Sequence, residues 1–161
     1  MLIYIWRHGK AEKSLPGGKD EDRTLSPEGR NDVIEVADRL FSEGGKPEKI
    51  FTSPLVRAKE TAEMIQGFIA CPKGLQVLPE LKSGAPLDPL VVSVLKAAQS
   101  FDSFILVGHM PDLGLLAQRL IGGTDPRASL KTGAVIKIEL SRLEEPLGGK
   151  IVLAFDPPAS G

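Results

Sequence analysis

An α/β fold is predicted: a single three-layer domain whose mostly parallel central sheet carries helices on both faces. Three observations predict it. Short apolar runs alternate with segments of helical period along most of the chain. Most of these runs stop abruptly at a glycine, serine or histidine, and a helix signal follows. The length, 161 residues with 42% hydrophobic and 25% charged, suits one substantial core and hence one domain over residues 1–161.

Leu2 to Trp6 is a continuous apolar and aromatic run ending in Arg7-His8-Gly9, as a buried parallel strand ends before a loop. Leu15 to Arg23 mixes Pro16, Gly17 and Gly18 with five charges and has no period, so it reads as an exposed loop. Ser26-Pro27 is a cap followed by a first-turn proline; Val33, Ala37, Leu40 and Phe41 then mark the inward face of a helix ending at Gly44-Gly45. Lys49 to Thr52 makes a short strand. Ser53-Pro54 repeats the cap-plus-proline device, and Ala58, Ala62, Ile65 and Ile69 form the next apolar stripe.

Gln76 to Leu78 is a third strand, and Asp88-Pro89 opens a helix with Val91, Val94, Leu95 and Ala98 inward. Phe104 to Val107 is a buried strand stopped by Gly108-His109. Pro111 starts a helix carrying Leu113, Leu116, Ala117 and Leu120 as far as Gly122-Gly123. Ala134 to Leu140 and Lys150 to Phe155 close the sheet as a hairpin around Gly148-Gly149, before a Pro-rich tail.

Composition excludes several functions. A net charge of -1 with interspersed signs lacks the basic footprint of a nucleic-acid or membrane-surface binder, so neither is expected as a partner. The first residues carry no basic leader, and no apolar run approaches the ~18 residues of a membrane span. A soluble, unexported, cytoplasmic protein is expected. One cysteine, Cys71, and two histidines offer neither a disulfide nor a zinc set, so no metal and no cofactor is expected. Cys71 reads as inert and semi-buried, and Trp6 as core.

In open α/β sheets, ligands bind beyond the carboxyl ends of the strands. Both histidines, His8 and His109, follow such ends, as does Ser53. Arg57 stands four residues after Ser53 on the same helical face, and helical side chains lean toward the N-terminus. With Arg7 it supplies two permanent cations whose forked donors match phosphate oxygens. The constellation predicts a pocket for phosphate or a similar anion, bound by Arg7, His8, Arg57 and His109. Each residue also has a plainer reading: a structural histidine, an Arg57 paired with Glu60 or Glu63, a capping Ser53, a structural Thr61, a solvated Lys10.

Arg7-His8-Gly9, Leu25-Ser26-x-x-Gly29, Ser53-Pro54-x-x-Arg57-Ala58-x-x-Thr61 and Gly108-His109-x-Pro111 together resemble the histidine phosphatase superfamily. The short chain, with Val77-Leu78-Pro79-Glu80-Leu81 between, is similar to its SixA-type phosphohistidine phosphatases. The resemblance covers most of the stretch from Met1 to about Gly122 and implies a metal-independent phosphatase. His8 would attack phosphorus through a neutral ring nitrogen while a backbone carbonyl holds the other as donor. Arg7, Arg57 and a protonated or donor-tautomer His109 would bind the oxygens. Glu80 would be acid and then base, with Glu12, Asp20, Glu21 and Asp22 as substitutes.

The implied substrate is phosphohistidine on a signalling or phosphotransfer protein. The alternatives are a phosphatase of small phosphate esters and a non-catalytic phosphate-binding protein.

Overall fold

A computed structural model of the chain describes residues 1–158; the last three residues of the expected domain lie outside the described residues. Strand β1 (Leu2–Arg7) explains why its run shows no polar alternation. Successive side chains point to opposite faces, and here both faces are covered: Ile3 and Ile5 enter one core, Tyr4 and Trp6 the other.

In chain order follow α1 (Pro27–Ser42), β2 (Lys49–Thr52), α2 (Val56–Phe68), β3 (Leu75–Val77), α3 (Leu87–Ser100), β4 (Ser103–Gly108), α4 (Asp112–Ile121), β5 (Val135–Leu140) and β6 (Gly149–Phe155). The sheet order is β3-β2-β4-β1-β5-β6. The first four of these are parallel neighbours, while β5 runs antiparallel to β1 and β6 to β5. The chain moves outward from β1 through β2 to β3, then returns to place β4 between β1 and β2. Right-handed crossovers made in opposite directions fall on opposite faces of a sheet. Accordingly Val33, Val36, Ala37 and Leu40 of α1 and Ala58, Ala62 and Ile65 of α2 pack on one face. Leu90, Val91 and Val94 of α3 and Leu113, Leu116 and Leu120 of α4 pack on the other. Burying each such valine, leucine or isoleucine side chain contributes about 2 kcal/mol.

The expected elements are all present, with shifted ends. Helix α2 begins at Val56, because Ser53 turns the chain early: its Oγ accepts the Leu55 amide at 3.2 Å. Asp88 and Pro89 lie inside the first turn of α3, where amides have no helical partner and proline is tolerated. Helix α4 starts one residue after Pro111, and β3 one residue before Gln76. Phe41, expected inward, is 57% exposed, since the position after Leu40 is rotated off the apolar stripe. The β5–β6 connection is the whole segment from Ser141 to Gly148. Gly149 already pairs with Leu140, and a Cβ there would lie 2.3 Å from the Leu120 carbonyl oxygen at the end of α4.

Candidate active site

Sheet register brings the two histidines together. Arg7 of β1 pairs with Gly108 of β4, and the His8 amide donates to the Gly108 carbonyl at 3.0 Å. His8 and His109 therefore leave adjacent parallel strands side by side, with ring centroids 5.1 Å apart. On the other side of β4, the Ser53 amide donates to the Val107 carbonyl at 2.9 Å. Ser53, His109 and His8 form a row across three strand ends.

The His8 ring is held in one protonation form. Its Nδ1 lies 2.7 Å from the Gly9 carbonyl oxygen, an acceptor only, so Nδ1 carries the proton and donates. Nε2 is then bare, and the Arg57 Nε–H points at it from 3.4 Å. Burial, opposed by the Gly9 bond and helped by the neighbouring Arg57 and Arg7 charges, lowers the His8 pKa to about 4. Burial, with His8 and Arg57 nearby, lowers that of His109 to about 3. Both imidazoles are neutral at pH 7.

The loop carrying His8 is fixed by α2 and α1. Thr61 Oγ1 accepts the Gly9 amide at 3.0 Å and donates to the Arg57 carbonyl at 2.8 Å, so one hydroxyl ties the His8 loop to the turn that presents Arg57. Ser26 caps α1 by accepting the Gly29 amide at 3.0 Å. Gly29 is required because α1 rests on the backbone of Lys10: a Cβ there would lie 2.1 Å from the Lys10 carbonyl oxygen. The Lys10 side chain itself turns outward to Glu28, 2.7 Å away. Trp6 is fully buried core. Cys71 is buried too, which pushes its thiol up to about 11.

Arg7 donates from Nη1 to the Leu130 carbonyl at 2.9 Å, while its Nε is buried without a partner among the described residues. Both histidines feel its charge. Arg57 is only 6% exposed and is not paired with Glu60, which binds Arg30 and the Leu25 amide instead. Its Nη1 donates to the Asp20 carbonyl oxygen at 2.9 Å and its Nη2 to the Asp20 carboxylate at 3.2 Å. Asp20 belongs to a short 3₁₀ turn, Asp20–Asp22, within the expected loop. Glu21 of the same turn pairs with Lys82 at 3.3 Å. Arg23 closes the loop on itself, reaching Asp20 Oδ1 at 3.0 Å and the Glu12 carbonyl oxygen at 2.7 Å.

Glu80 stands on a second 3₁₀ turn, Pro79–Leu81, just after β3. Its Oε2 is buried and has no partner among the described residues. Among the described residues, no three His, Cys, Asp or Glu side chains gather as a metal site, and no helix is long and apolar enough to cross a membrane.

Sequence reasoning assigned no site role to the segment before β5, yet that segment braces the site. The Gly133 carbonyl accepts the Trp6 indole at 3.0 Å, and the Gly133 amide donates to the Arg7 and His8 carbonyls at 3.1 and 2.9 Å. On the side of this segment the contacts use backbone atoms, so they leave no side-chain signal.

The model of the histidine phosphatase superfamily, branch 1, matches residues 3–84, which include Arg7, His8 and Arg57. The chain belongs to that superfamily. An uncharacterized protein of Picosynechococcus sp. is 31% identical over 161 residues, covering 98% of this chain and 97% of its own length. The phosphohistidine phosphatase SixA of Escherichia coli is 29% identical over 142 residues, 87% of this chain and 86% of that protein. A solved structure of the protein histidine phosphatase SixA complexed with tungstate superposes with a TM-score of 0.86 at 25% identity, over 98% of this chain and 97% of that one. The superfamily and the similarity to SixA support a phosphatase.

Proposed function

We propose that this histidine phosphatase superfamily member is a phosphohistidine phosphatase, acting on signalling or phosphotransfer proteins of the cytoplasm through a covalent phospho-His8 intermediate. The observation that carries this reading is the tautomer of His8: Nδ1 is committed to the Gly9 carbonyl, so a neutral nucleophilic nitrogen faces the Arg57 guanidinium. The similarity to SixA over most of both chains supports the substrate class.

In the first step His8 Nε2 attacks phosphorus. The new N–P bond replaces the P–N bond to the substrate imidazole, whose other ring nitrogen carries a proton, so that it leaves as neutral imidazole while His8 keeps its Nδ1 proton and becomes a phospho-imidazolium. Water then attacks the phosphoryl group, releases His8 and yields orthophosphate. Arg7, Arg57 and His109 hold the phosphoryl oxygens, and such donors lower the barrier by about 3 kcal/mol each. The two guanidinium charges fill the role a metal would have, so the reaction is metal-independent.

An imidazole leaves more easily than an alkoxide, so phosphohistidine cleavage needs little help from an acid. The Oε2 of Glu80, buried and without a partner among the described residues, favours a second reading, hydrolysis of small phosphate esters with Glu80 as proton donor. Asp20 is less suited to donate: its hydrogen bond to Arg23, reinforced by Arg57, holds its carboxyl below the usual range.

Mass spectrometry without acid quench, after brief exposure to a phosphohistidine substrate, tests the proposal. A phosphoryl adduct on His8 that turns over and is absent in His8→Ala is the expected result. Folded protein that binds phosphate yet forms no adduct and releases no phosphate points to a binding protein. Glu80→Gln separates the two substrate classes: aryl phosphate hydrolysis falls steeply under the ester reading, whereas phosphohistidine turnover persists.

A further inference from the structure

His109 raises a question of protonation that Ser53 answers. Ser53 is fully buried, and its Oγ lies 2.7 Å from His109 Nε2. The same Oγ accepts the Leu55 amide at 3.2 Å. No other hydrogen bond of this hydroxyl is found among the described residues. His109 Nδ1 is buried and has no partner among them.

Two neutral forms of His109 are possible, and they differ in how many polar groups they strand. If Nε2 carried the proton, it would donate to Ser53 Oγ. The Ser53 hydroxyl hydrogen would then have no acceptor, and the Nδ1 lone pair would also stay unmatched. If Nδ1 carries the proton, Ser53 accepts from Leu55, donates to Nε2, and uses both its capacities. Only the Nδ1–H is left over. Unpaired buried donors are costly, so the second form is favoured, and the one group it leaves unpaired is a hydrogen-bond donor on a ring 5.1 Å from that of His8 and within reach of the Arg57 and Arg7 charges.

We propose that Ser53 is a positioning residue that fixes His109 as its Nδ1–H tautomer, so that a neutral imidazole presents a hydrogen-bond donor to the bound phosphoryl group. Of the two donor forms open to His109 at the level of sequence, an imidazolium or a neutral donor tautomer, this selects the neutral one. The depressed pKa of His109 agrees with that choice. The arrangement also divides labour across the sheet. The Gly9 carbonyl makes His8 a bare Nε2, fit to attack, and the Ser53 hydroxyl makes His109 a donor, fit to bind. Two neighbouring imidazoles thus take opposite roles because one faces an acceptor and the other a donor. The inference rests on the phosphatase reading only in taking the ligand to be a phosphoryl group.

The chain has two histidines, so ¹⁵N-histidine labelling yields a spectrum of two imidazoles, assigned with His8→Asn. Long-range ¹H–¹⁵N correlation at pH 7.5 reads which nitrogen of His109 is protonated. The expected result is a protonated Nδ1 and a bare Nε2, with the Nδ1 resonance moving when inorganic tungstate is added. Ser53→Ala is expected to shift His109 toward the Nε2–H form and to weaken tungstate binding on the order of tenfold. Ser53→Thr restores both, because it keeps the hydroxyl. A protonated Nε2 in the wild type overturns the proposal, and so does a Ser53→Ala protein with unchanged tautomer and tungstate affinity. Should Ser53→Ala fail to fold, the wild-type and Ser53→Thr spectra still decide. A wild type that shows this tautomer and binds tungstate but leaves phosphohistidine intact supports the assignment and sinks only the substrate reading.

Discussion

Asp20 covers Arg57 with two acceptors at once, its backbone carbonyl on Nη1 at 2.9 Å and its carboxylate on Nη2 at 3.2 Å. These are the forked donors that a phosphoryl group would use. A carboxylate from the Leu15 to Arg23 loop therefore occupies these donors, and on the proposed reading a phosphoryl group competes with it for Arg57. The pairing of Glu21 with Lys82 anchors the same turn to the segment that follows Glu80.

Removing the Asp20 carboxylate frees one Arg57 donor. Asp20→Ala is expected to bind inorganic tungstate about fivefold more tightly, the equivalent of about 1 kcal/mol for a pair whose acid is largely exposed. Isothermal titration measures it. Affinity equal to or weaker than wild type would show that Asp20 does not compete with the anion.

Stability should depend on pH through His8. Its folded pKa, about 4, lies below the ordinary 6.5, so between these values the unfolded chain binds a proton that the folded protein does not. Stability is full above pH 6.5 and falls as pH drops toward 4, by about 3 kcal/mol at most for this residue. Urea unfolding from pH 7.5 to 4 in wild type and His8→Asn reads the difference. The variant should lose less stability over that range, and equal slopes would contradict the assignment.

Thr61 joins Gly9 to Arg57. Replacing it with valine keeps the shape but strands the Gly9 amide, which costs about 2 kcal/mol. The unfolding midpoint should fall accordingly, and kcat should fall with it as the His8 loop loses its tether to α2. Thr61→Ser, which keeps the hydroxyl, should recover most of both.

Gly29 tolerates no side chain. With a Cβ 2.1 Å from the Lys10 carbonyl oxygen, Gly29→Ala must part α1 from the His8 loop, at a cost of about 3 kcal/mol. Thermal unfolding checks this, and a melting temperature near that of wild type would mean that the loop and α1 separate readily.

The pattern of elements was legible because it is local. Period, proline and glycine decide whether a stretch such as Leu2 to Trp6 or Val33 to Leu40 becomes strand or helix, and those signals lie within a few residues. The candidate residues Arg7, His8, Arg57 and His109 were legible for a related reason: each ends a strand or opens a helix, and the crevice of an α/β sheet lies there.

Strand order, by contrast, is a long-range choice. Only the insertion of β4 between β1 and β2 sets His8 beside His109 and Ser53 beside His109, and no local signal records which strands will be neighbours. The brace at Leu130 and Gly133 works through carbonyls that every residue carries. Asp20 lay in a stretch without period, where three acids were equivalent until the fold brought one of them onto Arg57. The sequence by itself determined which chemical groups the site could contain. The tertiary structure decided which nitrogen of each histidine holds its proton and which acid meets which arginine, because hydrogen-bond partners are assigned by distance in space and not by distance along the chain.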